Sequence, residues 1–303
     1  MKESYSNKER CFKRLQPSKN TTKGIMASGD CTRVISFTSG KGGVGKTNLA
    51  VNIALSLSQQ GSSVLLLDAD LGLANVDILL GLSPKYNLQD VLKGEKSLDD
   101  IMLDGPSGLS IIPAASGIES ICNLSQRDKL LLIEAVENLS LSYDYLLIDT
   151  RAGISSDVMY FNAASSEIVV VINNEPTSLT DAYAAIKVLA TNYGEKKISV
   201  ISNNVSDLSE GKKAFDKLCR VAARYLNVKL EYMGCVPRDP LVNECVREQR
   251  ALLERYPSSK AGLAISQIAR KLDYRRYNIE LKGGMQFFFR RLLEIEGMRG
   301  DVA

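Results

Sequence analysis

From residue 33 onward, short uninterrupted apolar runs alternate with longer stretches in which apolar residues return every three or four positions. Val64-Leu65-Leu66-Leu67 and Ile168-Val169-Val170-Val171-Ile172 contain no polar position. Such runs suit strands covered on both faces, because a half-exposed strand would alternate. They predict strands at 33–38, 63–68, 109–113, 144–149, 167–172, 197–202 and 230–235. The periodic stretches predict helices over 47–60, 124–140, 178–193, 210–226 and 260–272. Strand–helix alternation implies parallel neighbours joined by right-handed crossovers. The expected fold class is α/β, a doubly wound domain with a mainly parallel sheet flanked by helices.

The two ends depart from this rhythm. Residues 1–30 are polar and basic, with room for a short helix over 7–15, and are expected to form a mobile arm. Gly283-Gly284 interrupts the chain before a last segment, 285–295. There Met285, Phe288, Phe289, Leu292 and Leu293 fall at i, i+3, i+4, i+7 and i+8, which makes one apolar helix face. Arg290, Arg291 and Glu294 lie opposite, and Phe287 is off the stripe. Such a helix suits an interfacial membrane anchor. Docking on the protein's own core is the alternative, and both can hold in different states. The expected parts are the arm (1–30), a domain (31–273), and a hinge with an amphipathic membrane-targeting helix (274–303).

Residues 40–47, Gly-Lys-Gly-Gly-Val-Gly-Lys-Thr, match the P-loop pattern G-x-x-x-x-G-K-[ST] between a predicted strand and a predicted helix. Gly40, Gly42, Gly43, Val44 and Gly45 would turn backbone N–H groups toward phosphate, and Asn48 opens the helix whose dipole supports them. Lys46 would reach the β- and γ-phosphates and Thr47 would hold Mg²⁺. Lys41 is a second lysine beyond the basic pattern. Asp68-Ala69-Asp70 closes the second strand, where open α/β sheets bind ligands. Two residues apart, Asp68 and Asp70 share a face. One can hold Mg²⁺ while the other orients an attacking water. Leu146-Leu147-Ile148-Asp149 is an apolar strand ending in a carboxylate, the Walker-B arrangement for Mg²⁺. The implied cofactors are ATP and Mg²⁺, with Thr47, Asp68 and Asp149 as the metal set.

Composition narrows the chemistry further. The chain has no histidine, which removes Ser-His and Cys-His nucleophile systems and His-ligated metals. Its six cysteines are scattered without a C-x-x-C, which fits reduced thiols. The net charge of +3 is uneven. Residues 1–30 carry seven Lys/Arg against three Asp/Glu and residues 270–303 eight against five, so the body between them is −4. Basic ends on an acidic body favour an anionic partner at the termini and argue against direct DNA binding. No apolar run of 18 residues occurs and the start has no signal-like apolar core, so a cytoplasmic chain is expected, with the amphipathic tail as its peripheral membrane contact.

Lys41 together with Lys46 resembles the deviant Walker A of the MinD/ParA ATPases, and residues 68–77 resemble their switch I. Residues 68–82, 98–117, 236–242, 249–257 and 283–293 are similar to the flagellar-number regulators of the FlhG/FleN type within that class. The resemblance implies an ATP-driven homodimer in which Lys41 crosses to the partner's phosphates and Asp70 orients the water. It implies that Asn203, Pro237 and Arg238 frame the adenine, although Asn203 also suits a plain turn. It implies an anionic inner-membrane surface as a partner, with a flagellar basal-body protein, a flagellar GTPase or a transcriptional activator. A MinD- or ParA-like positioning ATPase for cell division or for DNA or cargo partition would share all of this chemistry. Relatives read Asp-Thr-Gly-Ala-Gly at switch II, whereas this chain has Arg151 after Asp149-Thr150. That arginine would clamp the γ-phosphate, crowd the water, or face solvent or a partner.

Overall fold

In the computed structural model, the described residues are 32–70, 75–114, 124–139, 142–274 and 283–294. The arm and its expected helix lie outside them. Chain order runs β1 (Arg33–Thr38), α1 (Lys46–Gln59), β2 (Val64–Ala69), α2 (Val76–Leu80), α3 (Leu88–Leu92), α4 (Leu98–Ile101), β3 (Leu103–Asp104) and β4 (Ser110–Ile112). It continues with α5 (Gln126–Glu137), β5 (Tyr145–Thr150), α6 (Ser156–Ala164), β6 (Glu167–Ile172), α7 (Pro176–Asn192), β7 (Lys197–Val205) and α8 (Leu208–Tyr225). Last come β8 (Lys229–Pro237), α9 (Pro240–Arg247), α10 (Leu252–Arg255), α11 (Lys260–Tyr274) and α12 (Met285–Glu294).

The strands form one eight-stranded sheet in the order β3-β4-β2-β5-β1-β6-β7-β8. Every pairing is parallel except β3 with β4. All six residues of β1, β2 and β5 are buried, which is what unbroken apolar runs require. Alternate side chains divide between two helical layers. Ile35, Phe37, Leu147 and Val169 meet residues of α1, α10 and α11. Val34, Leu146 and Ile148 meet α5, α6 and α12, while Ile168 and Val170 meet α6, α7 and α8. Register sets the top of the sheet: Phe37 and Asp68 both lie opposite Asp149.

The seven predicted strands and the predicted helices are all present, with ends shifted by a few residues. The elements absent from the sequence reading are short or buried all round. Capping boxes in which Asn87 and Ser97 pair with Asp90 and Asp100 start α3 and α4. The spacing of those caps was the available signal. Seven residues of α6 are buried, so it shows no polar face and no helical period.

The apolar stripe of α12 is packed on the core. Met285, Phe288, Phe289 and Leu292 are buried, whereas Phe287 is 48% exposed. Phe288 stacks on Phe161 of α6 at 6.4 Å, and Arg290 pairs with Glu137 of α5. Gly283 has φ +120, and a Cβ there would lie 2.5 Å from the Phe287 ring, so the bend into α12 requires glycine.

At the far end of the sheet, Arg33 is 1% exposed and forks onto both carboxylate oxygens of Glu167. It also donates to the Leu272 carbonyl and lies over the Tyr145 ring, while the Tyr145 hydroxyl donates to Asp273. One buried cation thereby ties β1, β6 and the end of α11 together. Removing one member of such a pair strands a charge. Arg33→Ala is expected to cost about 3–5 kcal/mol in urea unfolding, with the phosphate-binding end untouched.

Candidate functional site

The loop from β1 to α1 needs its glycines for separate reasons. Gly43 and Gly45 have φ +80 and +84. A Cβ on Gly40 would lie 2.1 Å from the Asp181 backbone. The Gly45 N-cap of α1 offers no side-chain cap, and no acid lies in the first turn. The first N–H groups of α1 are therefore left for an anion, with the helix dipole behind them.

Lys46 Nζ lies 2.6 Å from Asp149 Oδ1, with both groups buried. Burial pushes the Asp149 carboxyl up, and the Lys46 ammonium and Thr47 hydroxyl pull against it. Asp149 Oδ2 and Asp70 Oδ1 are buried without a hydrogen-bond partner. Asp68 accepts from the N–H groups of Asp70, Asn75 and Val76 at 3.0–3.1 Å. Desolvation raises its pKa to about 6, against those N–H groups and with help from Asp149 alongside.

Mg²⁺ takes oxygen ligands, keeps several waters, and rests on one or two carboxylates plus substrate phosphates. The Thr47 hydroxyl and the unpartnered Asp149 oxygen fit that demand. Among the described residues no cluster of three or more Cys, Asp or Glu could hold a metal ion, so phosphate oxygens would complete the shell. The Asp68 carboxylate is taken up by the N–H groups of Asp70, Asn75 and Val76, so it would act on the metal as a neighbour of Asp149.

Two cavities meet at the loop. One, of about 410 Å³, is lined by Lys46, Thr47, Asp70, Asn75 and Ile78. The other, of about 370 Å³, is lined by Asn203, Pro237, Arg238, Asn204, Asn243 and Ile265. Gly43, Val44, Gly45 and Asn48 border both. Phosphates and metal fit the first and a base fits the second. Asn203 also donates to the Val44 carbonyl at 2.8 Å, and Arg238 donates to Asn204 at 3.2 Å.

Lys41 points elsewhere. Its ammonium bonds Glu175 at 2.7 Å and Thr177 at 3.1 Å, at the start of α7. Both members of the ion pair are well exposed, and Lys41 holds the Glu175 carboxyl below its usual range. The sequence reading missed Glu175, Thr177 and Asn75. Pro176 after Glu175 marks a helix start, but no sequence spacing joins that start to Lys41. Arg151 is exposed. The backbone around it is tied to β1 and the P-loop, since Thr150 Oγ1 donates to Phe37 O and Gly153 N donates to Ser39 O. Of the three readings for this arginine, its exposure favours the outward one.

The strand–loop–helix cradle, the Walker-B carboxylate and the second lysine together define a P-loop NTPase of the deviant Walker A class. Residues 32–200 match the family described as AAA domain. The chain is 46% identical to the antiactivator FleN of Pseudomonas aeruginosa over 89% of its own length and 96% of that protein. It is 36% identical to the flagellum site-determining protein YlxH of Helicobacter pylori, covering 88% of this chain and 91% of that one. The septum site-determining protein MinD of Pyrococcus horikoshii, solved with Mg-ADP, superposes with a TM-score of 0.63 at 28% identity, covering 80% of this chain and 96% of that one. The chain belongs to the MinD/ParA-type ATPases. Within them it is of the FlhG/FleN flagellar-number-regulator type.

Asp70 lines the phosphate cavity with one free buried oxygen but does not touch the P-loop amides. Asp70→Ala is expected to leave ATP affinity within about threefold and to lower phosphate release by about 10²-fold or more. Nucleotide titration and single-turnover kinetics measure the two separately.

Proposed function

We propose that this chain is an ATP-switched spatial regulator that controls the number and placement of flagella. It binds Mg-ATP between the two cavities, pairs face to face with a second copy, and attaches to the inner membrane through α12. Hydrolysis then returns it to the cytoplasm as a single chain. The observation that carries the reading is Lys41: its ammonium leaves its own phosphate cavity for an exposed glutamate, so it is free to serve another copy's nucleotide. A cation supplied across an interface stabilises transition-state charge in the way an arginine finger does. Exposed Ile78 and Val246, which line the phosphate cavity, and exposed Ile154 on the switch II loop give the same end an apolar rim that a second copy would cover.

The tail supplies the readout. Moving four buried apolar side chains from a protein groove to lipid exchanges one apolar surrounding for another, so the balance between the two is small and easily biased. Two tails on one dimer act at high effective concentration, so pairing itself strengthens attachment. Among the described residues no helix is long and apolar enough to cross a membrane, which suits a peripheral contact. The flagellar role draws support from FleN and YlxH, whose names give an antiactivator and a flagellum site-determining protein. A transcriptional activator, a basal-body protein and a flagellar GTPase are the partners this role calls for. A MinD- or ParA-like positioning role shares the chemistry, and relatives that bear the MinD name are less similar, at 31–33% identity.

Two outcomes test the switch. With ATP, Asp70→Ala is expected to run as a dimer in light scattering, while Lys41→Ala binds ATP yet stays monomeric. A dimeric Lys41→Ala would end the trans-lysine reading. In vesicle flotation the parent is expected to float with ATP and not with ADP, and Asp70→Ala to float most. Flotation indifferent to nucleotide would remove the coupling of tail to ATP.

A further inference from the structure

The body of the chain is acidic on average, but one surface is not. Along α8, Lys213, Lys217, Arg220 and Arg224 follow one another at i, i+4, i+7 and i+11, and all four are exposed. At 100° per residue they fall within an arc of about 60°, opposite the buried Ala214, Phe215, Leu218 and Ala222. The row is about 16 Å long. None of the four has a carboxylate partner among the described residues. Asp216, the acid beside the row, is taken by Lys212 at 2.9 Å, and Glu210 is held at the helix start by Ser206 and Asn174. The nearest contacts of the row are an Asp216 carbonyl for Arg220 and the Tyr225 ring for Arg224.

We propose that this face of α8 is a second membrane contact, an electrostatic one that lies on anionic lipid headgroups when α12 is inserted. The inference rests on the membrane reading of the tail given above. Three observations favour a bilayer as the occupant. Four cations in a straight row, without a carboxylate partner among the described residues and with the neighbouring Asp216 already paired to Lys212, match a flat sheet of negative charge. Val221 and Tyr225, 44% and 63% exposed, flank the row, and tyrosine suits the headgroup level where apolar and wet regions meet. Finally, α8 and α12 cover the same side of the sheet. Ser36 of β1 lies opposite Ile168, so Val34 under α12 and Ile168 under α8 point the same way, and α6 packs into both clusters. A surface that releases α12 toward lipid therefore carries α8 on the same side.

The test uses the full chain with ATP and vesicles of phosphatidylcholine, alone or with about 30% phosphatidylglycerol. The variant replaces Lys213, Lys217, Arg220 and Arg224 by Gln, and a control replaces Lys213 and Lys217 by Arg. A basic residue near an anionic surface gains roughly fivefold in affinity. The Gln variant is accordingly expected to lose at least about tenfold on anionic vesicles and nothing on neutral ones. The Arg control keeps parental binding, and added salt erases the parent's advantage. Unchanged melting and ATP turnover show that the fold and site are intact. ATP-dependent flotation that ignores both the α8 charges and the lipid charge overturns this proposal alone. Absence of any flotation by the parent overturns the membrane reading and this proposal with it. Binding of random duplex DNA that is lost in the Gln variant while vesicle binding persists would assign the row to nucleic acid and overturn the proposal.

Discussion

A buried ammonium and a buried carboxylate 2.6 Å apart hold the centre of this molecule. Lys46 sits at the first position of α1 and Asp149 near the end of β5, so their contact fixes the P-loop against the sheet. Taking both charges out of water is costly, and the cost is tolerable only with close, well-aligned geometry. The neighbouring elements supply it. β5 lies between β1 and β2, Phe37 and Asp68 flank Asp149 in register, and the Thr150 hydroxyl is tied back to β1. On the proposed function the pair is also a placeholder: a bound phosphate would take Lys46 from the carboxylate and leave Asp149 for the metal.

Much of this was legible before any coordinates. Unbroken apolar runs announce doubly covered strands, and the glycine and lysine spacing of the P-loop carries its own mechanism. The carboxylates at 68, 70 and 149 stand where strand ends meet the loop, as their sequence context requires. Two kinds of feature escaped. Helices of one turn, such as α3 and α4, are made by caps rather than by periodicity. The Lys41–Glu175 contact joins residues 134 positions apart, and only the tertiary fold brings those two loops together. The same limit divides the carboxylates. Spacing puts Asp68 and Asp70 on one face, yet backbone N–H groups claim Asp68 and leave Asp70 facing the cavity.

Charge patterning teaches a similar lesson at larger scale. Averaged over the body, the acidic balance argues against any anionic partner away from the termini. A helix gathers its residues by face, so a modest excess of Lys and Arg in α8 becomes a concentrated row once the apolar positions turn inward. The tail obeys the same geometry with the opposite chemistry. Its off-stripe Phe287 stays exposed while four stripe residues disappear into the core.

The Arg33 bolt sets a length scale for everything the tail does. It grips the Leu272 carbonyl, and Tyr145 grips Asp273, so α11 ends at a fixed point on the sheet. From there to the start of α12 the chain has ten residues, 275–284. Covalent geometry allows such a leash about 35 Å at full stretch. On the proposed membrane reading, an α12 seated in lipid would keep the ATPase body within that radius. A body held so near a surface would sample it continuously, so contacts too weak to recruit the protein from solution would still orient it.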